Sequence, residues 1–365
     1  MQKTTKKAPL FHLTKRPVLK PFETWSIRIA SFFVAVLIGC VIFLLNGKNP
    51  FGAYGNILSG SLGKVTALRQ TIRIAVPLLG TALAITPCFK MKFWNIGAEG
   101  QITAGAIGAA FFALTFPNLP AAVLLPVMGI ASALCGAIWA FFPAFFKAKW
   151  GTNETLFTLM MNYIVIGIVK WLQGGPWEGK PGSQIIPSFT KNAILPKVFG
   201  IHCGWIIVLL LTGFMFIYMN YTKHGYEIAV VGDSPNTARY AGMNVAKITI
   251  RTMLLSGAIC GLVGFMVASG AHQTLYHSVA DGVGFTAITV AWLAQLNPFV
   301  MIIISFMLAI LDKGSGALQT NMGIPTSVSD IITGVFLFCM LACEFFINYQ
   351  IIFNHKDKNE EVKAK

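Results

Sequence analysis

The stretch IASFFVAVLIGCVIFLL, residues 29–45, decides the fold. It carries no charge and, with Arg28 and Asn46 at its ends, is long enough for one helical crossing of a hydrocarbon layer roughly 30 Å thick. A helix that is apolar all round has no face to offer water, so its solvent is lipid. Lys3, Lys6, Lys7, Lys15, Arg16, Lys20 and Arg28 precede it, and Asn46 to Pro50 follow it without a small-residue cleavage site. A basic region of that length before an uncleaved run reads as a retained anchor whose basic side is cytoplasmic.

Working outward, the same pattern recurs at about 72–89, 94–115, 120–146, 154–174, 201–221, 250–271, 283–296, 298–312 and 328–350. With the first run at 28–46, the expectation is an all-α polytopic membrane protein of about ten helices. Hydrophobic residues make up 55% of the 365 and charged ones 11%, more apolar surface than one water-soluble core can hide. The chain divides into a basic cytoplasmic tail at 1–27, a transmembrane domain at 28–350 and a charged cytoplasmic tail at 351–365. Lys90 and Lys92, Lys147 and Lys149, then Lys223, Arg239, Lys247 and Arg251 all fall on the cytoplasmic side. Lys64, Arg69 and Arg73 fall outside, and a partly inserted or interfacial helix over Phe51 to Gln70 accounts for them. The outer loop from Gly174 to Gly200 holds Pro176, Pro181, Pro187 and Pro196 and is too polar to enter lipid.

A net charge of +15 raises nucleic acid as a partner, but the cations sit in tails and loops with no basic, aromatic-interleaved stripe. Loop charge that orients helices against lipid headgroups explains the positions. The seven cysteines are dispersed through apolar runs, where thiols behave as small hydrophobes, and the six histidines define no ligand spacing. No metal site is expected. There is no G-x-x-x-x-G-K-[ST] phosphate loop, so any use of ATP belongs to another chain.

Two places carry chemistry. Phe93-Trp94-Asn95-Ile96-Gly97-Ala98-Glu99-Gly100-Gln101 sets two amides and a carboxylate beside small residues at the start of a run. An ionisable group at membrane depth faces a cavity or a partner, and Gly97 and Gly100 permit an interrupted helix lining one. Alternatively Glu99 is bonded to a neighbouring helix terminus and fixes packing. Asn162, inside the run after the capping sequence Gly151-Thr152-Asn153-Glu154, also needs a partner or water. A second Gly-punctuated segment, Asp281-Gly282-Val283-Gly284-Phe285, points with the first to an internal repeat. The other informative place is the loop Thr222 to Arg251. Ser234 as cap, Pro235 at the first helical position and Gly242 beyond the end delimit a short helix, Pro235 to Ala241, that shows Arg239 and Tyr240. It reads as a docking knob for a partner protein or as a plain surface helix. Gly257-Ala258-Ile259-Cys260-Gly261 lets two helix backbones approach.

Together these residues resemble the permease family of ATP-binding-cassette importers that handles branched-chain amino acids, ribose-type sugars and nucleosides, over roughly residues 30 to 350. Phe93 to Gln101 is similar to the family's LFNIGAEGQ, and Gly151 to Glu154 through Met160-Met161-Asn162-Tyr163 to GVNEVITTIMLNY. His224-Gly225-Tyr226-Glu227, with Gly232 to Asn244, resembles the coupling segment LGYELRAVGLNPEAARYAGIN. The GAEGQ form, the N-terminal extension and the long outer loop resemble the nucleoside-uptake branch most. Leu156-Phe157-Thr158 in place of an ITT-like run, and Ala291 to Pro298 in place of a pattern like ALLGRNNP, depart from the family and bear on which solute is carried.

The resemblance implies a type II importer-like permease of the bacterial cytoplasmic (inner) membrane, both termini cytoplasmic, that catalyses no chemistry. It further implies an ATPase subunit that holds ATP and Mg, a second related permease forming a heterodimer, and an extracytoplasmic substrate-binding lipoprotein. On this reading Asn95, Glu99, Gln101 and Asn162 belong to the substrate pathway, and Gly225, Glu227, Arg239, Tyr240 and Gly242 couple to the ATPase. The solute is a nucleoside, or alternatively a simple sugar of the ribose or galactose type. A proton-coupled secondary transporter using Glu99 is the rival from another mechanistic class.

Overall fold

The computed structural model describes residues 11–16 and 21–353; most of the two charged tails read from the sequence lies outside them. The chain divides into two compact units, 1–53 with 327–365, and 54–326.

In the first unit, strand β1 (Phe11–Lys15) pairs antiparallel with β4 (Tyr349–Phe353), Phe11 opposite Phe353 and Lys15 opposite Tyr349. The pairing sets the two ends of the chain side by side. Helix α1 (Pro21–Leu45) holds the 29–45 run, and most of α13 (Thr326–Asn348) lies beside it. The Ser31 hydroxyl donates to the carbonyl of Cys339, and Phe32 meets Phe336 edge to face at 5.7 Å.

The second unit contains most of α2 (Pro50–Leu62), then α3 (Val65–Lys90), α4 (Ala98–Thr115), α5 (Ala121–Trp150) and α6 (Glu154–Gln173). A loop with a two-residue hairpin, β2 (Lys197–Val198) and β3 (Ile201–His202), leads to α7 (Gly204–Tyr221). Next come α8 (Lys223–Asp233), α9 (Pro235–Tyr240), α10 (Val245–Phe265), a π-helical turn at Met266–His272, α11 (Val283–Leu293) and α12 (Pro298–Met322).

Among the described residues, eight helices are long and apolar enough to cross a membrane: α1, α3, α5, α6, α7, α10 with its π-helical turn, α12 and α13. The two further runs read as spans are α4, whose first turn carries Glu99 and Gln101, and α11. At 11 residues α11 rises about 16 Å, half a bilayer. Where the sequence leads one to expect a single partly inserted or interfacial helix over Phe51 to Gln70, α2 ends at Leu62. Of the charges that helix was to explain, Lys64 precedes α3 while Arg69 and Arg73 lie within it; Arg69 lies against Gly200 of the 174–200 loop.

Helices α3 and α10 are buried along most of their length and form the centre, whereas α5, α6, α7 and α12 turn large apolar side chains outward. Leu210, Trp171, Met160 and Ile138 are all more than half exposed, the inverse of a soluble protein and the arrangement lipid requires. The centre is packed on small residues. A Cβ at Gly261 would strike the carbonyl of Ser132 on α5, and one at Gly105 would strike the backbone of Gly261, so α4, α5 and α10 cross at backbone contact.

Candidate functional site

The segment Trp94–Gly97, between α3 and α4, is irregular backbone inside the protein, and its polar groups need partners there. The side chains singled out in the sequence supply them. Asn162 of α6, buried, accepts from the Gly100 N–H at 2.9 Å and donates Nδ2–H to the Ile96 carbonyl at 3.0 Å, acting as a surrogate peptide. Asn95 Oδ1 accepts from the Gly97 N–H at 3.0 Å and from Gln101 Nε2 at 3.1 Å. Its Nδ2 lies 3.3 Å from Gln101 Oε1 and from Ser256 Oγ of α10. A Cβ at Gly100 would sit 2.6 Å from Asn162 Oδ1, which fixes glycine there.

Glu99 completes the knot. Its Oε1 accepts from the Gly282 N–H and its Oε2 from the Gly284 N–H, both at 2.8 Å, so the carboxylate caps the N-terminus of α11, where helix N–H groups lack intrahelical partners. The other end of α11 is held by rings: Trp292 stacks on Trp94 with centroids 5.6 Å apart and on Phe89 at 5.7 Å. Asn95, Glu99, Gln101 and Asn162 thus converge on one buried knot that positions α4 and α11, each engaged by protein groups.

The loop residues build a second, exposed site. Thr222 caps α8 through the Gly225 N–H at 3.2 Å, and a Cβ at Gly225 would strike the carbonyls of Tyr218 and Met219. Glu227 receives Arg251 of α10 at 2.8 Å, with His224 at 3.6 Å and Lys223 at 4.0 Å. The Arg251 hydrogen bond holds its carboxyl below the usual carboxylate range against the opposing effect of burial. Ser234 caps α9 through the Thr237 N–H at 3.2 Å, Pro235 stands at the helix start, and Gly242 has φ +77°. Ala238 is buried beneath α9, whereas Arg239 is exposed and Tyr240 is 93% exposed. A groove of about 670 Å³ runs from α9 to the turns before α4 and α6, with Lys92, Lys147, Glu154, Asp233 and Arg239 on its walls.

Two features escaped the sequence reading. Helix α8 lies where the sequence reads as loop, and its signals are Thr222 and the i,i+4 pair Lys223 and Glu227. Asp312 and Lys313, at the end of a run in the sequence reading, sit midway along α12, and Arg73, read as lying outside the spans, is about two turns inside α3.

Residues 68–341 match the family described as branched-chain amino acid transport system / permease component. The chain is similar to a glucose ABC transporter permease protein of Haloferax volcanii, 28% identical over 93% of each chain. It is also similar to a nucleoside ABC transporter permease protein of Lactococcus lactis, 29% identical over 86% of this chain and 90% of that one. A guanosine ABC transporter permease protein of Bacillus subtilis is 28% identical, covering 88% and 94%. A match across most of the transmembrane helices, the buried knot and the α8–α9 surface leaves one family: the chain is a multi-pass membrane protein belonging to the branched-chain amino acid transport system / permease component family.

Proposed function

We propose that this chain is the permease subunit of an ATP-driven importer of nucleosides, with a simple sugar as the alternative cargo. The observation that carries the reading is α9: a six-residue helix capped at its start and anchored by buried Ala238, with Arg239 and Tyr240 presented to whatever docks there. Two of the relatives cited carry nucleoside or guanosine in their names and one carries glucose, which supports this order of cargo. The partners are an ATPase that binds ATP and Mg, a second related permease and an extracytoplasmic binding lipoprotein. The membrane is the bacterial inner membrane, with α8, α9 and both termini cytoplasmic; the pairing of β1 with β4 supports a common side for the termini.

Docking of the ATPase on α9 moves α8, and Arg251 on Glu227 passes the displacement to α10, which packs at backbone contact with α4 and α5. Asn95, Glu99, Gln101 and Asn162 bear on the pathway by holding α4 and α11 in position. Cells lacking the chain and cells with it restored distinguish the readings through radiolabelled guanosine, uridine and ribose, with ATP and the proton gradient depleted separately. Nucleoside uptake lost with the chain and following ATP is the expected result; uptake that follows the proton gradient overturns it.

A further inference from the structure

At the N-terminal end of α11 the protein forms an open cavity of about 320 Å³, at the lower end of the range for small-molecule sites. Its walls come from α3, the π-helical turn, the 279–283 segment and α12. Arg73, Asp281, Asp312 and Lys313 all line it. Arg73 lies within α3, and Asp312 and Lys313 lie midway along α12; Arg73 and Asp312 are exposed on the isolated chain. Charges within membrane-spanning helices are costly to give to lipid, so this face meets water, solute or another protein surface.

The backbone at the cavity is held in an uncommon form. Asp281 has φ +48° and Gly282 φ +75°, and Gln273, just past the π-helical turn, has φ +59°. Left-handed non-glycine residues and π-helical turns cluster where a fold serves a ligand, and both persist only when their surroundings over-determine them. For Asp281 that surrounding is Glu99, whose carboxylate fixes the next N–H along the chain. Glu99 lies behind the cavity and aims Asp281 into it.

We infer that this cavity binds a neutral, polyhydroxylated part of the solute, read through its hydroxyls by Asp281, Asp312, Arg73 and Lys313, with Glu99 as the positioning residue. Two cations and two anions in the lining cancel, so a charged solute gains nothing from the site while hydroxyls find both donors and acceptors. The lining contains His272 and otherwise aliphatic or polar side chains, with no Phe, Tyr or Trp among the described residues. The site therefore reads a sugar and leaves a nucleobase unread. This deepens the importer reading and rests on it.

The test uses the complete importer in proteoliposomes. Asp281→Asn and Lys313→Gln raise KM for uridine and for adenosine by the same factor, about tenfold (~1.4 kcal/mol). Glu99→Gln raises KM in the same sense and is not additive with Asp281→Asn, as expected of a residue acting through another. Unchanged KM in both lining variants, a shift for one base only, or equal transport of adenosine monophosphate overturns the assignment. A second measurement needs neither ATP nor transport: Ala271→Cys on the cavity wall, with the native cysteines replaced, is labelled with a membrane-impermeant thiol reagent. Saturating uridine slows labelling several-fold if the cavity binds it. Labelling indifferent to uridine, or absent in all conditions because the face is sealed against another subunit, overturns the site. If the wild-type complex moves neither nucleoside nor sugar with ATP while uridine protects Ala271→Cys, the importer reading fails and the cavity stands.

Discussion

At the scale of the residue, the buried polar side chains of this membrane protein act on main chain. Asn162 closes two backbone groups that the break between α3 and α4 leaves open. Asn162→Leu keeps the branched outline of the side chain and orphans the Gly100 N–H and the Ile96 carbonyl, at about 1–3 kcal/mol each. The expected result is a clear fall in apparent melting temperature of the detergent-solubilised protein, followed by thiol exposure on heating. His202 behaves differently. It is buried between Gly204 and Gly270, neither ring nitrogen has a hydrogen-bond partner among the described residues, and burial, with the Arg73 cation adding to it, pushes its pKa down to about 4. The unfolded chain takes up a proton near pH 6.5 and the folded one does not, so stability declines as pH falls from about 6.5 towards 4, by roughly 2–3 kcal/mol. His202→Met removes that part of the acid sensitivity, which thermal denaturation at pH 7.5 and 5.0 measures.

At the scale of the element, the crossing of α4, α5 and α10 depends on glycine. Gly261→Val forces a side chain into the Ser132 carbonyl, and overpacking of this kind costs about 1–3 kcal/mol. A lower melting temperature and reduced membrane accumulation are expected, with Gly213→Val, where a Cβ meets nothing within 4 Å, as the silent control. Glu227→Gln weakens the tie from α8 to α10. The native carboxyl titrates below its unfolded value, so the tie contributes fully above about pH 4.5 and is lost as pH falls through the folded value. At pH 7 the variant is expected to keep assembly and lose several-fold in coupled uptake, and the ratio of solute moved to ATP hydrolysed measures this.

These elements also mark how far the sequence could be read. The capped helix α9 was legible because Ser234, Pro235 and Gly242 act within a few residues of one another. The amides and Glu99 were visible as groups in need of partners, but the partners were not: Glu99 bonds to residues 183 and 185 positions away, a distance no local periodicity encodes. For the same reason α11 reads as a full span. Apolar content continues to Leu296, while the helix ends at Leu293 because Gln295 and Leu296 take left-handed backbone. Asp312 and Lys313 were placed at the end of a run, since two charges close a hydropathy window whether or not the helix continues.

At the scale of the whole molecule, the short capped helix α9 follows α8, which one ion pair ties to the glycine-packed α10, and α10 crosses α4, whose Glu99 holds one end of the half-helix α11 while Trp94 and Phe89 hold the other. On the proposed reading, a partner ATPase drives that linkage. Arg239→Ala with Tyr240→Ala removes the presented side chains without touching buried Ala238, so the fold is expected to persist while the ATPase dissociates, as co-purification measures. The most direct test is uptake of radiolabelled guanosine into proteoliposomes holding the purified complex, with the binding protein outside, ATP inside and no ion gradient. Accumulation that requires trapped ATP and is lost in the Arg239/Tyr240 double variant is the predicted result. Accumulation driven by an imposed proton gradient without ATP, or unaffected by the double variant, would contradict it.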